Sequence, residues 1–503
     1  MKEVRKLAGQ TIIYGMGTII PRFLHYAVLT PFYTRIFIDT SDYGIVTELY
    51  AWMVLLLVIL TYGMETGFFR FVQNSEESEK VYSTALISLL FTSILFVVFV
   101  NVFIEPVSAI MNYRNNHDYI RMFAGIVAID AFSAIPFARM RQEKRPVVFS
   151  AIKLVNVIIT LALVFFLLKI APGIYEKSDG WFRSVYKPDY KVGYIFVANL
   201  ISSGATLVML LPFIVRTKFV FDLSLWKRMI QYSFPLLLAG LSGSINDALD
   251  KVILRRMIGD QEGLAIVGKY GAGYKIGVLM ALFIQMFRFA AEPFFFERAK
   301  HSDAKETYAF VMKYFIIMML IVFLGINLYI SGFQYIVGRN YRDAIVVVPI
   351  ISMAYLLYGI YINHSIWYKL NDLTRYGAYI TFIGALITVL INVMFIPVFG
   401  YMASAWAHIA SYGSMIVVSF IFAEKHYKIH YDIIKLLPYF VMATGMVIFG
   451  QYFKYPDLVT ELLINTFFVI IFIGYAQYRD KMLTVFFGKQ KNEIQIIKKN
   501  QKQ

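Results

Sequence analysis

Residues 81–104 read VYSTALISLLFTSILFVVFVNVFI, an apolar run without a charged side chain. As a helix rising about 1.5 Å per residue it is about 36 Å long, enough to cross a hydrocarbon layer of about 30 Å. Similar blocks lie at about 8–33, 43–69, 120–138, 147–170, 192–215, 230–254, 264–290, 309–331, 344–368, 376–397, 401–423, 435–453 and 460–478. Of the 503 residues 59% are hydrophobic and 16% charged, with a mean hydropathy of +0.63. A soluble domain has roughly 45–50% apolar and about 25% charged residues. Lipid is therefore the solvent for most of the chain, and its fold class is an all-α integral membrane protein with about fourteen transmembrane helices.

Composition excludes several kinds of chemistry. There is no Cys, which removes disulfides and thiol chemistry, and the seven His show no ligand spacing, so no metal site is expected. The net charge of +16 does not imply nucleic acid, because Lys and Arg lie in the short connections between apolar blocks. Met1 to Lys6 followed by the apolar stretch from Leu7 to Tyr33 is too long for a signal peptide and reads as an uncleaved first span. With the N-terminus inside, the inner segments hold about 29 Lys and Arg against about 12 outside, which places both termini in the cytoplasm.

A weak internal repeat pairs Phe37, Asp39 and Asp42-Tyr43-Gly44 with Ile258, Asp260 and Val267-Gly268. Two pseudo-symmetric six-helix lobes follow from it, an N-lobe at 1–215 with helices 1–6 and a C-lobe at 216–423 with helices 7–12. A C-terminal helix pair at 424–478 and a basic cytoplasmic tail at 479–503 complete the division.

Charges inside the membrane are costly, on the order of 2.5–3.5 kcal/mol each at a helix centre. They concentrate in four helices. Helix 1 has Arg22, helix 2 has Glu48 and Glu65, helix 7 has Asp247, Asp250 and Lys251, and helix 8 has Lys269, Lys275 and Arg288. These helices are expected to face each other or water. Asp247 and Lys251, four apart, are expected to pair on one helix face. Asp130 in helix 4 has no basic residue three or four places away and needs a cross-helix partner or a bound proton or cation. Asn156, Asn392 and His408 read as interhelical hydrogen-bonding groups. The aromatics, 17% of the chain, read as interfacial belts. Pro21, Pro136, Pro235 and Pro349 lie within or near span ends, where kinks are expected.

Several short motifs carry a resemblance: Asp42-Tyr43-Gly44; Tyr62 to Phe71, reading YGMETGFFRF; Phe234-Pro235; Asp250-Lys251; Asn371-Asp372; and Ile396 to Ala405, reading IPVFGYMASA. In this order the sequence resembles the polysaccharide-transport flippases of the superfamily that also contains multidrug exporters and lipid-linked peptidoglycan-precursor flippases. The resemblance implies alternating access on undecaprenyl-linked glycans in the cytoplasmic membrane, through a central cavity lined mainly by helices 1, 2, 7 and 8. It implies no catalytic residue. Partners would be the lipid-linked glycan, membrane lipids, and glycan polymerase and export proteins; Na+ or H+ would be a coupling cation.

Arg22, Lys275, Lys269 and Arg288 are the candidate substrate-binding cations. Arg22 and Lys275 lie too deep to snorkel and would hold a pyrophosphate or acidic sugar. The competing expectation pairs Arg22 with Glu48 or Glu65, and Lys275 with Asp247 or Asp250. Asp130, Asp247, Asp250, Lys251, Glu48 and Glu65 are candidates for coupling or cavity charge pairs. Alternative functions are a small-molecule exporter of the same superfamily and a membrane glycan polymerase or ligase. The second would need catalytic carboxylates on a large outer loop, where Glu176, Asp179 and Asp189 form no recognised pattern.

Overall fold

The computed structural model describes residues 15–72, 78–177, 180–299, 301–371, 373–453 and 455–487. Met1 to Lys6, Leu7, Asp179, Asp372 and the tail beyond residue 487 lie outside them. The described residues are helical with no strand. We number the main helices α1 (residues 15–36), α2 (Thr40–Val72), α3 (Ser78–Val102), α4 (His117–Gln142), α5 (Pro146–Lys177), α6 (Pro188–Val215) and α7 (residues 223–258). They continue as α8 (Asp260–Gly277, resumed after Val278 as Leu279–Arg298), α9 (Ala304–Leu328), α10 (Arg339–Leu370), α11 (Thr374–Phe399), α12 (Tyr401–His426), α13 (Ile433–Tyr452) and α14 (Leu458–Asp480).

Among the described residues, twelve helices are long and apolar enough to cross a membrane. The sequence predicted fourteen. α1 is described only from residue 15, and α7 carries Asp247, Asp250, Lys251, Arg255 and Arg256 in its second half. The span expected at 264–290 is interrupted at Val278, and its apolar helix begins at Leu279.

Local chemistry fixes the helix ends. Asp39 caps α2 by accepting from Ser41 N at 2.9 Å, and Asp222 caps α7 by accepting from Leu225 N at 2.9 Å. Tyr62 and Gly63, at φ 34° and 70°, bend α2; a side chain at Gly63 would also meet the Ser233 carbonyl at 2.8 Å. Pro349 does not kink a span, since it sits in the first turn of Val348–His364, where its missing N–H costs nothing. Among the described residues three helices contain a π turn, His25–Leu29 in α1, Phe166–Ile170 in α5 and Ile245–Leu249 in α7.

The chain forms two compact units. In the smaller, His301–Phe333 and Ile429–Gln503, α9 packs on α13 and α14, and Lys313 pairs with Asp480 at 2.8 Å. α9 thus sits with the helix pair that the sequence set apart as terminal. The larger unit, Met1–Lys300 with Gln334–Lys428, holds the other helices.

Within it α2 and α8 cross with backbone against backbone. A Cβ on Gly44 would lie 1.9 Å from the Leu264 carbonyl, and one on Gly268 would lie 2.0 Å from the Thr40 carbonyl. Each glycine faces the residue four places before the other, so the crossing is reciprocal. Beside it the first turns of α10 and the residues just before them cover the α1–α2 turn. Arg35 donates to Tyr335 O at 2.7 Å, Asn340 Nδ2 to Ile38 O at 2.8 Å, Tyr341 Oη to Phe37 O at 2.8 Å, and Gly338 N to Thr34 Oγ1 at 2.9 Å.

Candidate functional site

Next to that crossing lies a cavity of about 140 Å³ lined by α1, α2, α7 and α8. These are the four helices on which the sequence concentrates its intramembrane charge. The π turns of α1 and α7 both reach it, through His25, Tyr26 and Leu29 on one side and Asp247 and Ala248 on the other. A π turn interrupts the α-helical ladder and often marks a functional position. In α7 the Asp247 carbonyl accepts from Lys251 Nζ at 3.0 Å, a side-chain partner that membrane helices need wherever the ladder is broken.

Asp247, Lys251 and Lys275 line the cavity, with Tyr26, Tyr33, Tyr43, Tyr50 and Tyr274. The Lys275 ammonium lies 4.5 Å from the centre of the Tyr26 ring, and no carboxylate stands within ion-pairing distance of it among the described residues. The Tyr33 hydroxyl, on a residue 2% exposed, has no hydrogen-bond partner among them. The cavity wall therefore presents a cation without an ion-pair partner and a hydroxyl without a hydrogen-bond partner among the described residues.

The expected pair of Asp247 with Lys251 does not form. Two tyrosines draw the carboxylate away, with Asp247 Oδ1 accepting from Tyr274 Oη at 2.9 Å and from Tyr355 Oη at 2.5 Å. Lys251 binds Asp250 Oδ1 instead, at 2.8 Å. The alternative pairs also fail. Glu48, 2% exposed, accepts from Arg255 and from Tyr113 Oη; Arg255 was absent from the sequence candidates. Glu65 pairs with Arg141 at 2.6 Å. Arg22, exposed one turn before Tyr26, donates to Gln285 at 3.1 Å and ties α1 to the second part of α8. Lys269 pairs with Asp343 at 2.9 Å and Arg288 lies 3.8 Å from Glu292, and neither lines this cavity. Asp130 accepts from Ser203 of α6 at 2.9 Å, also away from it.

The three polar groups read as interhelical links are so placed. Asn156 bonds Ser202 and Thr206, Asn392 bonds Ser404, and His408 Nε2 lies 3.1 Å from Asp250 Oδ2. What the sequence missed is the tyrosine group, whose reading as interfacial belts hid Tyr270, Tyr274 and Tyr355. A signal existed: Tyr270 and Tyr274 are one turn apart beside Lys275 on a charged helix.

The model of a family described as polysaccharide biosynthesis protein matches residues 7–298. The chain belongs to this family. The match takes in α1 to α8 and so every helix that lines the cavity. No curated protein matches the sequence significantly. Among solved structures, this member of the polysaccharide biosynthesis family is similar to the lipid II flippase MurJ in an inward closed conformation. The TM-score is 0.69 at 13% identity, covering 93% of this chain and 99% of that one. It is also similar to multidrug resistance MATE family transporters of the MOP superfamily. For an inward-facing form the TM-score is 0.60 at 14% identity, covering 82% and 94%; for an outward-facing form it is 0.58 at 14%, covering 84% and 94%. At such identities the likeness is one of fold, and that fold is the MurJ- and MATE-like transporter fold of a multi-pass membrane protein.

Proposed function

We propose that the chain flips an undecaprenyl-linked oligosaccharide or polysaccharide repeat unit from the inner to the outer face of the cytoplasmic membrane by alternating access. The observation that carries this is Lys275, a half-buried ammonium in a cavity among four helices with no carboxylate within ion-pairing distance among the described residues. A cation without a directly bonded acid among membrane helices costs free energy, which an arriving anion offsets. The pyrophosphate or acidic sugar of a lipid-linked glycan is such an anion, and Arg22 stands at the approach. Family membership supports a cargo in polysaccharide biosynthesis, and the likeness to a lipid II flippase supports one carried on lipid.

In this reading no covalent bond is made or broken, and the protein is a transporter rather than an enzyme. The two lobes rock about the cavity, both termini stay in the cytoplasm, and glycan polymerase and export proteins take the product. A proton gradient would act at the carboxylates Asp130, Asp247 and Asp250, and a sodium gradient at Asp130. The test is to delete the gene and identify the lipid-linked sugar that accumulates on the inner face. Wild type should clear it and Lys275→Gln, at normal membrane abundance, should not; no accumulation in the deletion strain would sink the proposal. The likeness to MATE transporters favours a second reading, export of small molecules, which altered drug accumulation in the same strains would select.

A further inference from the structure

We propose that the Lys251 ammonium is a built-in cation that fills the seat an external sodium ion would need at the acid group of α7, leaving the protein without a sodium site there. Lys251 is 7% exposed and sits on the cavity wall. Its Nζ donates to Asp250 Oδ1 at 2.8 Å and to the Asp247 carbonyl at 3.0 Å, and lies 3.8 Å from the centre of the Tyr274 ring. Carboxylate and carbonyl oxygens are the donors that hard cations take, and an aromatic face adds attraction for a desolvated cation.

The neighbours hold this seat in shape. Asp250, 0% exposed, accepts at Oδ2 from Tyr270 Oη at 2.8 Å and lies against His408 Nε2. Asp247 is fixed by Tyr274 and Tyr355. Three helices besides α7 therefore converge on this acid group, whose cation, held by the Asp250 carboxylate and the Asp247 carbonyl, is covalently attached. A tethered amine loses little translational freedom on binding, whereas a free ion must both enter and leave an ammonium buried without its acid. A sodium gradient consequently has no purchase on Asp250 while Lys251 is in place.

The inference does not depend on the cargo, so it and the flippase reading fail separately. The experiment follows melting of the purified full chain in detergent as sodium replaces choline at constant ionic strength. Wild type should show no sodium-dependent shift. Lys251→Met, which keeps the bulk and removes the charge, should gain a rise of roughly 2 °C or more that grows with sodium concentration. Lys251→Arg should stay insensitive, and adding Asp250→Asn to Lys251→Met should abolish the gain. A sodium shift in wild type that Asp250→Asn removes would overturn the proposal, as would a folded Lys251→Met that ignores sodium. Should Lys251→Met fail to fold, the wild-type and Asp250→Asn measurements still decide.

Discussion

Lys275 and Glu48 show how the same bilayer physics yields opposite roles. Both are ionisable groups placed among apolar helices, yet Glu48 is closed off by Arg255 and Tyr113 while Lys275 faces open space. Neutralising Lys275 should therefore spare the fold and impair transport. A hydrogen bond to a charged group contributes about 1.5–3 kcal/mol, so Lys275→Gln should lower glycan export about 10-fold or more at unchanged abundance. Arg22→Lys should retain more export than Arg22→Gln if charge rather than the planar fork matters. Glu48→Ala should behave in the reverse way. It strands the Arg255 guanidinium, itself 2% exposed, and breaking a buried pair costs about 3–5 kcal/mol. Expression and melting temperature should fall, and the double variant Glu48→Ala/Arg255→Met should recover much of the loss; a double variant no better than the single would show that the pair is not the cause.

At the scale of the helix, the crossing of α2 and α8 leaves no room for a methyl group. With Thr40 O only 2.0 Å from the site of a new Cβ, Gly268→Ala must push the helices apart, and overpacking of this kind costs typically about 1–3 kcal/mol. Gly413, which a Cβ would leave in open space, is the control, and Gly413→Ala should melt like wild type. The cap of α7 gives a pH effect. The Ser224 hydroxyl, the Leu225 N–H and the Lys80 ammonium hold the Asp222 carboxyl well below the usual carboxylate range. A depressed folded value means that the stabilisation is present above the unfolded value and is lost as pH falls from there toward the folded one. Asp222→Asn keeps a capping side chain but should flatten the acid limb of a melting-temperature profile; an unchanged limb would acquit this carboxyl.

Across the molecule, topology is the first thing to check. A reporter fused after Gln503 should read cytoplasmic, and one inserted at Gly180 should read external. Span length and charge were enough to place most of the helices and to single out α1, α2, α7 and α8, because lipid tolerates charge only where water or a partner awaits it. The pairings within that set were hidden. Glu48 finds Arg255, 207 residues away, and Asp247 turns to Tyr355 from α10; neither contact follows from spacing along one helix. Tyrosine is ambiguous for a physical reason, since one ring suits a headgroup layer and a buried hydrogen-bond network alike.

The segment folded over the α1–α2 turn bears on how this molecule distributes between its conformations. Four hydrogen bonds, from Arg35, Gly338, Asn340 and Tyr341, would have to break together for that end to part. At about 0.5–1.5 kcal/mol net each, they form a latch of roughly 2–6 kcal/mol, which puts the unlatched form in the minority until a ligand favours it by as much. The chain has no cysteine of its own, so one introduced at Ser41, buried just past that turn with its side chain outside the four bonds, becomes a gauge of that minority. Its rate of maleimide labelling should rise when Tyr341→Phe and Asn340→Ala are added, and rise again when cargo is present.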